Sequence, residues 1–360
     1  MNACAAPTEP SPIAHWRSEE LEFLGKCPLC QSTHRTQRHT GLSDLTFGTP
    51  GEGWTVWSCS HCRAHYCDPR PRAETIHRAY EQYYTHQDSS APVRDKRRKD
   101  ASIYRRALSG YLHQRYGSHR HHAWPLGASL LQALPPLRRR YDREYRSLPA
   151  CPEQGRLLDI GCGNGAFLEL AQSCGWQAVG LEPDALAVQQ ARSRGLEVLH
   201  GSLDQLDGQL QGFDQITLSH VIEHLHDPAK VLKRCLELLK PGGRLWIETP
   251  NGLSIGHQTF GAAWRGLETP RHLVLFTWGN LTQALQDLGF TRVRRVPRHS
   301  ALRPLFKESL ALAEGRPMAS RRRLTLQEHL RLLWLETREA LDQENTEVLT
   351  VEAYRPATEC

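Results

Sequence analysis

An α/β fold on a parallel sheet is predicted for the second half of this chain, and three observations carry the prediction. From residue 156 onward, short apolar runs alternate with amphipathic helical stretches, the pattern of strand–helix–strand units. The run Leu157-Leu158-Asp159-Ile160 breaks into three alternate glycines, Gly161, Gly163 and Gly165, before a helix opens at Phe167. Glycines so spaced let the backbone turn sharply and admit a ligand to within contact of the main chain. A Pro241-Gly242-Gly243 turn then leads into another apolar run at residues 244–248.

The elements follow in chain order. Residues 1–22 read as a flexible tail, without the basic and apolar regions of a signal peptide. Residues 23–92 read as a zinc-ribbon-like module. Cys27-Pro-Leu-Cys30 and Cys59-Ser-His-Cys62 are two knuckles, each able to point two thiolates at one tetrahedral ion. Cys27, Cys30, Cys59 and Cys62 are therefore the candidate ligands of a structural Zn²⁺, with His61, His65 and Cys67 near enough in sequence to substitute. A redox dithiol is the alternative, but it leaves the second pair unexplained. Residues 48–53 suit a hairpin tip between the pairs. Asp68-Pro-Arg-Pro71 ends the knuckle region, a helix with Tyr80, Tyr83 and Tyr84 follows, and residues 87–92 are linker-like.

Residues 93–150 read as a basic helical segment. Between residues 94 and 146 lie fourteen Lys/Arg against four Asp/Glu, so the remainder of this +6 chain sums to about −4. Such a surplus attracts the phosphates of RNA, nucleotide-sugars or lipid head groups. Tyr104, Leu108, Tyr111, Leu112 and Tyr116 recur at helical spacing between the charges, which equally describes a helix with one packed face.

Residues 151–360 hold the sheet. After the first strand, residues 178–181 form a second that closes on Glu182, and Asp184 caps a helix through Arg192. Residues 196–199 and 213–218 are the third and fourth strands. Asp227 and Pro228 supply the N-cap and first turn of a helix to Leu239. Residues 244–248, 290–296 and 348–354 are the fifth, sixth and seventh strands, with a helical insertion near 300–346 before the last. No apolar run approaches the ~18–20 residues of a membrane span. Paired cysteines among the eleven favour metal binding in a reducing compartment, so a cytoplasmic protein is expected.

The glycine loop and the helix N-terminus behind it suit a nucleotide-type cofactor. Gly161-x-Gly163-x-x-Ala166 also meets the loose dinucleotide fingerprint. Asp159 argues the other way, since a carboxylate there repels a pyrophosphate and welcomes an ammonium or sulfonium. Glu182, twenty-one residues after Gly161, is placed to accept from both hydroxyls of a ribose. The succession Asp-x-Gly-x-Gly-x-Gly, Glu182-Pro-Asp and Lys240-Pro-Gly-Gly resembles class I S-adenosylmethionine-dependent methyltransferases over residues 150–295. The Cys-x-x-Cys pairs with the following Asp-Pro and Tyr-x-x-Tyr-Tyr resemble the zinc-binding front end of some bacterial methyltransferases of glycan and secondary-metabolite pathways.

The resemblance implies a Rossmann-like seven-stranded sheet with an antiparallel last strand, preceded by the zinc ribbon and the helical segment. It also implies S-adenosyl-L-methionine as cofactor. Asp159, Gly161, Gly163, Gly165 and Glu182 would contact it, with Ser202 and Leu203 at the adenine edge and Ser219 and His220 beside the sulfonium. His272 is the first candidate base, with His224 and His220 behind it. His220, Glu223, His224 and His272 are also a candidate divalent-metal cluster, because the first three sit at i, i+3 and i+4 of an expected helix. Similar Glu/His groupings occur in ubiquinone O-methyltransferases and small-RNA 2′-O-methyltransferases, although here the first position is His rather than Glu. The connection from Pro250 to Thr277 carries His257, Phe260, Trp264, Arg265, Arg271 and His272 and reads as a lid. Together these features suggest O-methylation of a small molecule or glycan precursor. An RNA methyltransferase using the zinc module and basic segment is the alternative.

Overall fold

The computed structural model describes residues 13–80, 103–117, 124, 129, 131–203, 211–316 and 323–357. Ahead of the glycine loop lie strands β1 (Leu21–Glu22), β2 (Arg35–Ser43), β3 (Glu52–Cys59), β4 (His65–Cys67) and β5 (Arg70–Pro71), then helices α1 (Ile103–Tyr116) and α2 (Pro135–Glu144). Behind it come β6 (Arg156–Ile160), α3 (Ala166–Ser173), β7 (Gln177–Glu182), α4 (Ala185–Ser193), β8 (Glu197–His200), β9 (Phe213–Ser219), α5 (Pro228–Leu238) and β10 (Leu239–Pro250). The chain continues with α6 (Ile255–Phe260), β11 (Val274–Leu275), α7 (Trp278–Asp287), β12 (Thr291–Arg295), α8 (Leu302–Ala313), α9 (Leu326–Leu341) and β13 (Val348–Tyr354).

The apolar runs after residue 156 pair into a seven-stranded sheet of order β12-β13-β10-β9-β6-β7-β8. Strands β6 to β10 run parallel, while β13 inserts antiparallel between β10 and β12. This is the Rossmann-like class I arrangement. Local chemistry sets the helix starts: Asp184 Oδ1 accepts from Leu186 N–H at 2.9 Å, and Asp227 Oδ1 from Lys230 N–H at 2.9 Å. Each cap satisfies a donor that the first helical turn leaves free. One face of the sheet packs on α5 and α7 through Leu158, Ile216, Leu245 and Leu285; the other packs on α1 and α3 through Leu157, Ala178, Tyr111 and Leu168.

Three expectations need correction. Residues 13–22 are no flexible tail. Ile13, Trp16 and Leu21 are buried, Trp16 meets Trp54 edge-on at 5.5 Å, and β1 pairs with β5. Two large rings with their centroids that close remove enough apolar surface from water to hold a terminal segment. Second, the zinc-ribbon-like module is not confined to residues 23–92. Its sheet has the order β11-β4-β3-β2, so the fourth strand comes from residues 274–275, more than two hundred positions downstream. Third, the connection after β10 is not an open lid. It folds as α6, a 3₁₀ turn at Gly261–Ala263 and β11, with His257, Trp264, Arg271 and His272 buried. Tyr83, Tyr84, the stretch 87–92 and the charges at 94–100 lie outside the described residues.

A buried ion pair rivets the two parts. Arg271 Nη1 and Nη2 donate to Asp44 Oδ2 and Oδ1 at 2.7 and 3.0 Å, and Nη1 also reaches Thr49 Oγ1 and the Ala79 carbonyl. Burial alone would raise the Asp44 pKa, but the Arg271 hydrogen bonds and charge hold it at about 2. A depressed carboxylate confers stability above its unfolded pKa of ~3.9 and loses it as pH falls towards 2. The pair should therefore contribute about 2–3 kcal/mol at pH 6 that disappears below pH 4. Equilibrium unfolding of wild type and Asp44→Asn across pH 2–7 checks this. Parallel curves with no convergence at low pH would contradict it.

Candidate active site

Strand order reverses beside β6, which has β7 on one side and β9 on the other. In an open parallel sheet such a switch leaves a crevice beyond the carboxyl ends of the strands. The glycine loop leaves β6 at that crevice. Gly161, Gly163 and Gly165 have φ of 68°, 54° and 81°, all left-handed. A Cβ at Gly161 would lie 2.5 Å from Val221 Cγ2, and one at Gly165 2.4 Å from Leu196 Cδ1, so these two are needed for packing. A Cβ at Gly163 would meet nothing within 4 Å: the centre of the loop faces open space.

Glu182 closes β7 at the same edge. Its Oε2 accepts from Gly163 N–H at 2.8 Å and its Oε1 from Asp184 N–H at 3.0 Å, and burial raises its pKa. Each carboxylate oxygen retains a further acceptor site for an incoming hydroxyl. Ser202 is exposed after β8, Leu203 is buried in the core beneath it, and Ser219 is half-buried at the end of β9.

Asp159 departs from its expected role. It is fully buried, and its Oδ1 pairs with Arg146 Nη1 and accepts from Thr217 Oγ1 at 2.8 Å. The Arg146 guanidinium also stacks over Phe167 at 3.8 Å. The cation that Asp159 welcomes is therefore this chain's own arginine, delivered by the turn after α2. Nothing in the spacing of the basic segment singles Arg146 out, because its partner depends on how α2 lies across the sheet.

His220 is not on a helix with Glu223 and His224. Its φ is +55°, and only Ile222–His224 form a 3₁₀ turn, so the shared helical face does not exist. Instead the half-exposed ring bridges two buried carboxylates: Nδ1 is 3.3 Å from Glu223 Oε1 and Nε2 3.3 Å from Glu248 Oε1. Burial would lower its pKa, but the hydrogen bonds and charges of Glu223 and Glu248 outweigh burial and hold it at about 9. At neutral pH it is an imidazolium, hence a donor and not a base. Glu248 was missed by sequence reasoning, together with Arg298, whose Nη1 lies 3.1 Å from Glu248 Oε2. Sequence periodicity marks Glu248 only as the polar end of a strand.

A raised folded pKa gives stability that is complete below the unfolded value of ~6.5 and lost as pH rises through about 9. The Tm difference between wild type and His220→Gln should accordingly shrink between pH 7 and pH 10. A constant difference would contradict the assignment.

Glu223, His224 and His272 do converge, with one ligand atom from each inside a 4.8 Å span; His220 stays outside that group. Glu223 Oε2 accepts from Thr249 Oγ1 at 2.9 Å. His224 Nδ1 lies 3.0 Å from both Tyr80 Oη and the Arg271 carbonyl; the carbonyl can only accept, so it favours a proton on Nδ1. His272 is 6% exposed, hydrogen-bonds the Gly266 carbonyl at 2.8 Å, and burial lowers its pKa to about 4. A lid-borne, mobile base it is not. Arg265 is spent on Glu268 and Arg271 on Asp44, so neither guanidinium waits for a substrate anion.

Among the described residues, the four cysteines form the second group able to hold a metal. Cys27 and Cys62 sulfurs are 3.6 Å apart, Cys30 and Cys59 3.5 Å, and all four lie within 4.8 Å. His65 points elsewhere, with its ring 5.3 Å from that of His257, and the Cys67 thiol donates to the Pro69 carbonyl at 3.2 Å.

Comparison with known proteins matches residues 135–294 to one family, a methyltransferase domain. Residues 135–294 are thus similar to a methyltransferase domain and carry most of the class I sheet. Within it, the curated relatives include the ubiquinone biosynthesis O-methyltransferase of Methylococcus capsulatus, 33% identical over 147 residues, which are 38% of this chain and 60% of that protein. The same enzyme of Xanthomonas axonopodis is 36% identical over 128 residues, 34% of this chain and 52% of that one. The chain thus spans a little over half the length of these relatives. Among solved structures, a SAM-dependent methyltransferase from Archaeoglobus fulgidus overlays with a TM-score of 0.41 at 21% identity, covering 63% of this chain and 93% of that one. The fold is established by the strand order and not by that overlay.

Proposed function

We propose that this chain is an S-adenosyl-L-methionine-dependent methyltransferase that methylates an oxygen of a small molecule or glycan precursor. The observation that carries the reading is the open centre of the glycine loop at Gly163 next to a buried Glu182 carboxylate with acceptor capacity to spare. Likeness to relatives named ubiquinone biosynthesis O-methyltransferase supports oxygen as the acceptor atom.

The cofactor, when bound, supplies an electrophilic methyl group on a sulfonium. Gly163 keeps a side chain out of its path, and Glu182 would orient its ribose by accepting hydrogen bonds from the hydroxyls. Ser202 would stand at the adenine edge above the buried Leu203, and Ser219 would stand beside the reacting end. Alignment and exclusion of water carry most of the rate in such an in-line displacement. Protonated His220, held by Glu223 and Glu248, fixes the polar wall at the carboxyl ends of β9 and β10. The base for an acceptor hydroxyl is His224, the half-buried member of the histidine pair.

The donor set of Cys27, Cys30, Cys59 and Cys62 fits Zn²⁺. A tetrahedral ion with sulfur at ~2.3 Å separates its ligands by about 3.8 Å, close to the 3.5 and 3.6 Å found. Four thiolates leave no open position, so the ion is structural. The RNA alternative loses ground because Arg146 turns inward to Asp159, while Tyr111, Leu112 and Tyr116 face the core.

Methyl transfer from labelled cofactor into a cell extract, fractionated into metabolite, glycan and RNA pools, tests the reading. Label in the metabolite or glycan pool is expected. Label confined to RNA, or none at all, would overturn it.

A further inference from the structure

We propose that α9 is a dimerisation helix, pairing antiparallel with its counterpart on a second copy of this chain. Helix α9 begins with a capping box in which Thr325 and Glu328 exchange hydrogen bonds, so it is a well-terminated helix of sixteen residues. Its inner face is narrow. Leu332 and Leu335 alone join Ile255, Leu302 and Phe306 in a satellite cluster apart from the main core. Its outer face is the unusual one: Leu326, Leu330, Leu333, Trp334 and Leu341 are 77%, 59%, 53%, 57% and 83% exposed.

At 100° per residue these five side chains, with Thr337, fall within a single stripe about 100° wide, the width of a face meant to be covered. Scattered exposed leucines need no explanation, but a continuous stripe on one helix does. Together they expose on the order of 600 Å² per copy. Self-pairing would bury about 1,200 Å² in total, the lower end of the range for specific interfaces.

The stripe is self-complementary, and this selects a second copy over other occupants. About a two-fold axis between Leu333 and Trp334, an antiparallel mate places the partner's Leu341 opposite Leu326. The partner's Thr337 then faces Leu330, and the partner's Trp334 faces Leu333. Every large apolar side chain of the stripe except Leu330 meets another of its kind, and Leu330 meets the methyl-bearing Thr337. A two-fold interface requires this pairing of each position with its mirror about one point. An arrangement fitted to a lipid surface or an unrelated partner has no such requirement. Arg338, stacked over Trp334 at 4.8 Å, stands at the rim of the stripe.

Light scattering on the full-length protein at tens of micromolar, with and without the double substitution Leu333→Glu and Trp334→Glu, tests the proposal. Both positions are exposed, so unchanged circular dichroism and Tm will show that folding is intact. Wild type is expected at twice the chain mass and the double variant at the chain mass. The register is checked by oxidation with copper phenanthroline. Leu333→Cys, next to the axis, should cross-link to itself beyond the wild-type background. Leu326→Cys should not, because the two copies of that position lie about 22 Å apart. A monomeric wild type, a dimer that survives the double substitution, or equal cross-linking at both positions would overturn the proposal. So would a monomer that floats with anionic phosphatidylglycerol vesicles through the same stripe.

Discussion

Replacing Cys27 by serine is expected to collapse more of the protein than its small cysteine module. Structural zinc in a four-cysteine site holds its fold by an apparent ~10–16 kcal/mol, and one lost thiolate removes much of that. In a free-standing ribbon the damage would stop at the ribbon. Here the buried Cys27 and Cys59 share one continuous core with Leu158, Ile216 and Leu245 of the central sheet. The Cys67 N–H donates to the Leu273 carbonyl at 3.1 Å, and Asn280 Nδ2 donates to the Cys62 carbonyl at 3.1 Å. These contacts tie both sides of the module to the connection after β10 and to α7. The variant should therefore lose about one zinc per chain by metal analysis and also lose the cooperative melting of the seven-stranded sheet. A zinc-free variant with an unchanged melting curve would contradict both the metal and the shared core.

Arg271→Ala should be the most costly single change away from the metal. It leaves the Asp44 carboxylate, 1% exposed as a side chain, without its bidentate partner. Breaking a buried pair from one side typically costs ~3–5 kcal/mol, because the remaining charge has neither water nor a counter-ion. Against a total stability of ~5–15 kcal/mol this is a large fraction, and a fall in Tm on the order of 5–10 °C is expected. The double variant Arg271→Met, Asp44→Leu should recover much of the loss, since an apolar pair of similar bulk needs no solvation. If Arg271→Ala melts within a degree of wild type, the pair is not the rivet between hairpin and domain that its geometry indicates.

What the residues reveal in advance follows the range of the interactions involved. The strands from 156 to 200 and the caps Asp184 and Asp227 are legible because they depend on neighbours a few positions away. The glycine loop and Glu182 are legible because backbone conformation and a strand end restrict residue choice locally. Arg146 beside Asp159, Arg271 beside Asp44 and β11 beside β4 are invisible to such reasoning. Their partners lie 13, 227 and about 208 positions apart in the chain, and no periodicity records that distance. The histidines show the same divide. Their placement near the ends of β9 and β10 could be foreseen, whereas the charge each carries could not. The His220 proton is fixed by Glu223 and Glu248, and the neutrality of His272 by its burial. The buried connection after β10 was misread for a related reason. Its aromatic and basic residues suit a lid in composition, and only the N-terminal hairpin that covers them reveals them as core.

Calorimetric titration with S-adenosylhomocysteine, comparing the wild-type chain with Glu182→Ala, tests the central claim most directly. One site per chain is expected in the wild type. Loss of the ribose acceptors should weaken binding by ~1.5–3 kcal/mol, or about 10–150-fold, since hydrogen bonds to a charged group are involved. The melting curve of the variant should stay cooperative, because Glu182 sits at the crevice edge and holds only the Gly163 and Asp184 N–H groups. No heat of binding in the folded wild type, or the same affinity in both proteins, would contradict the assignment of this crevice to the cofactor.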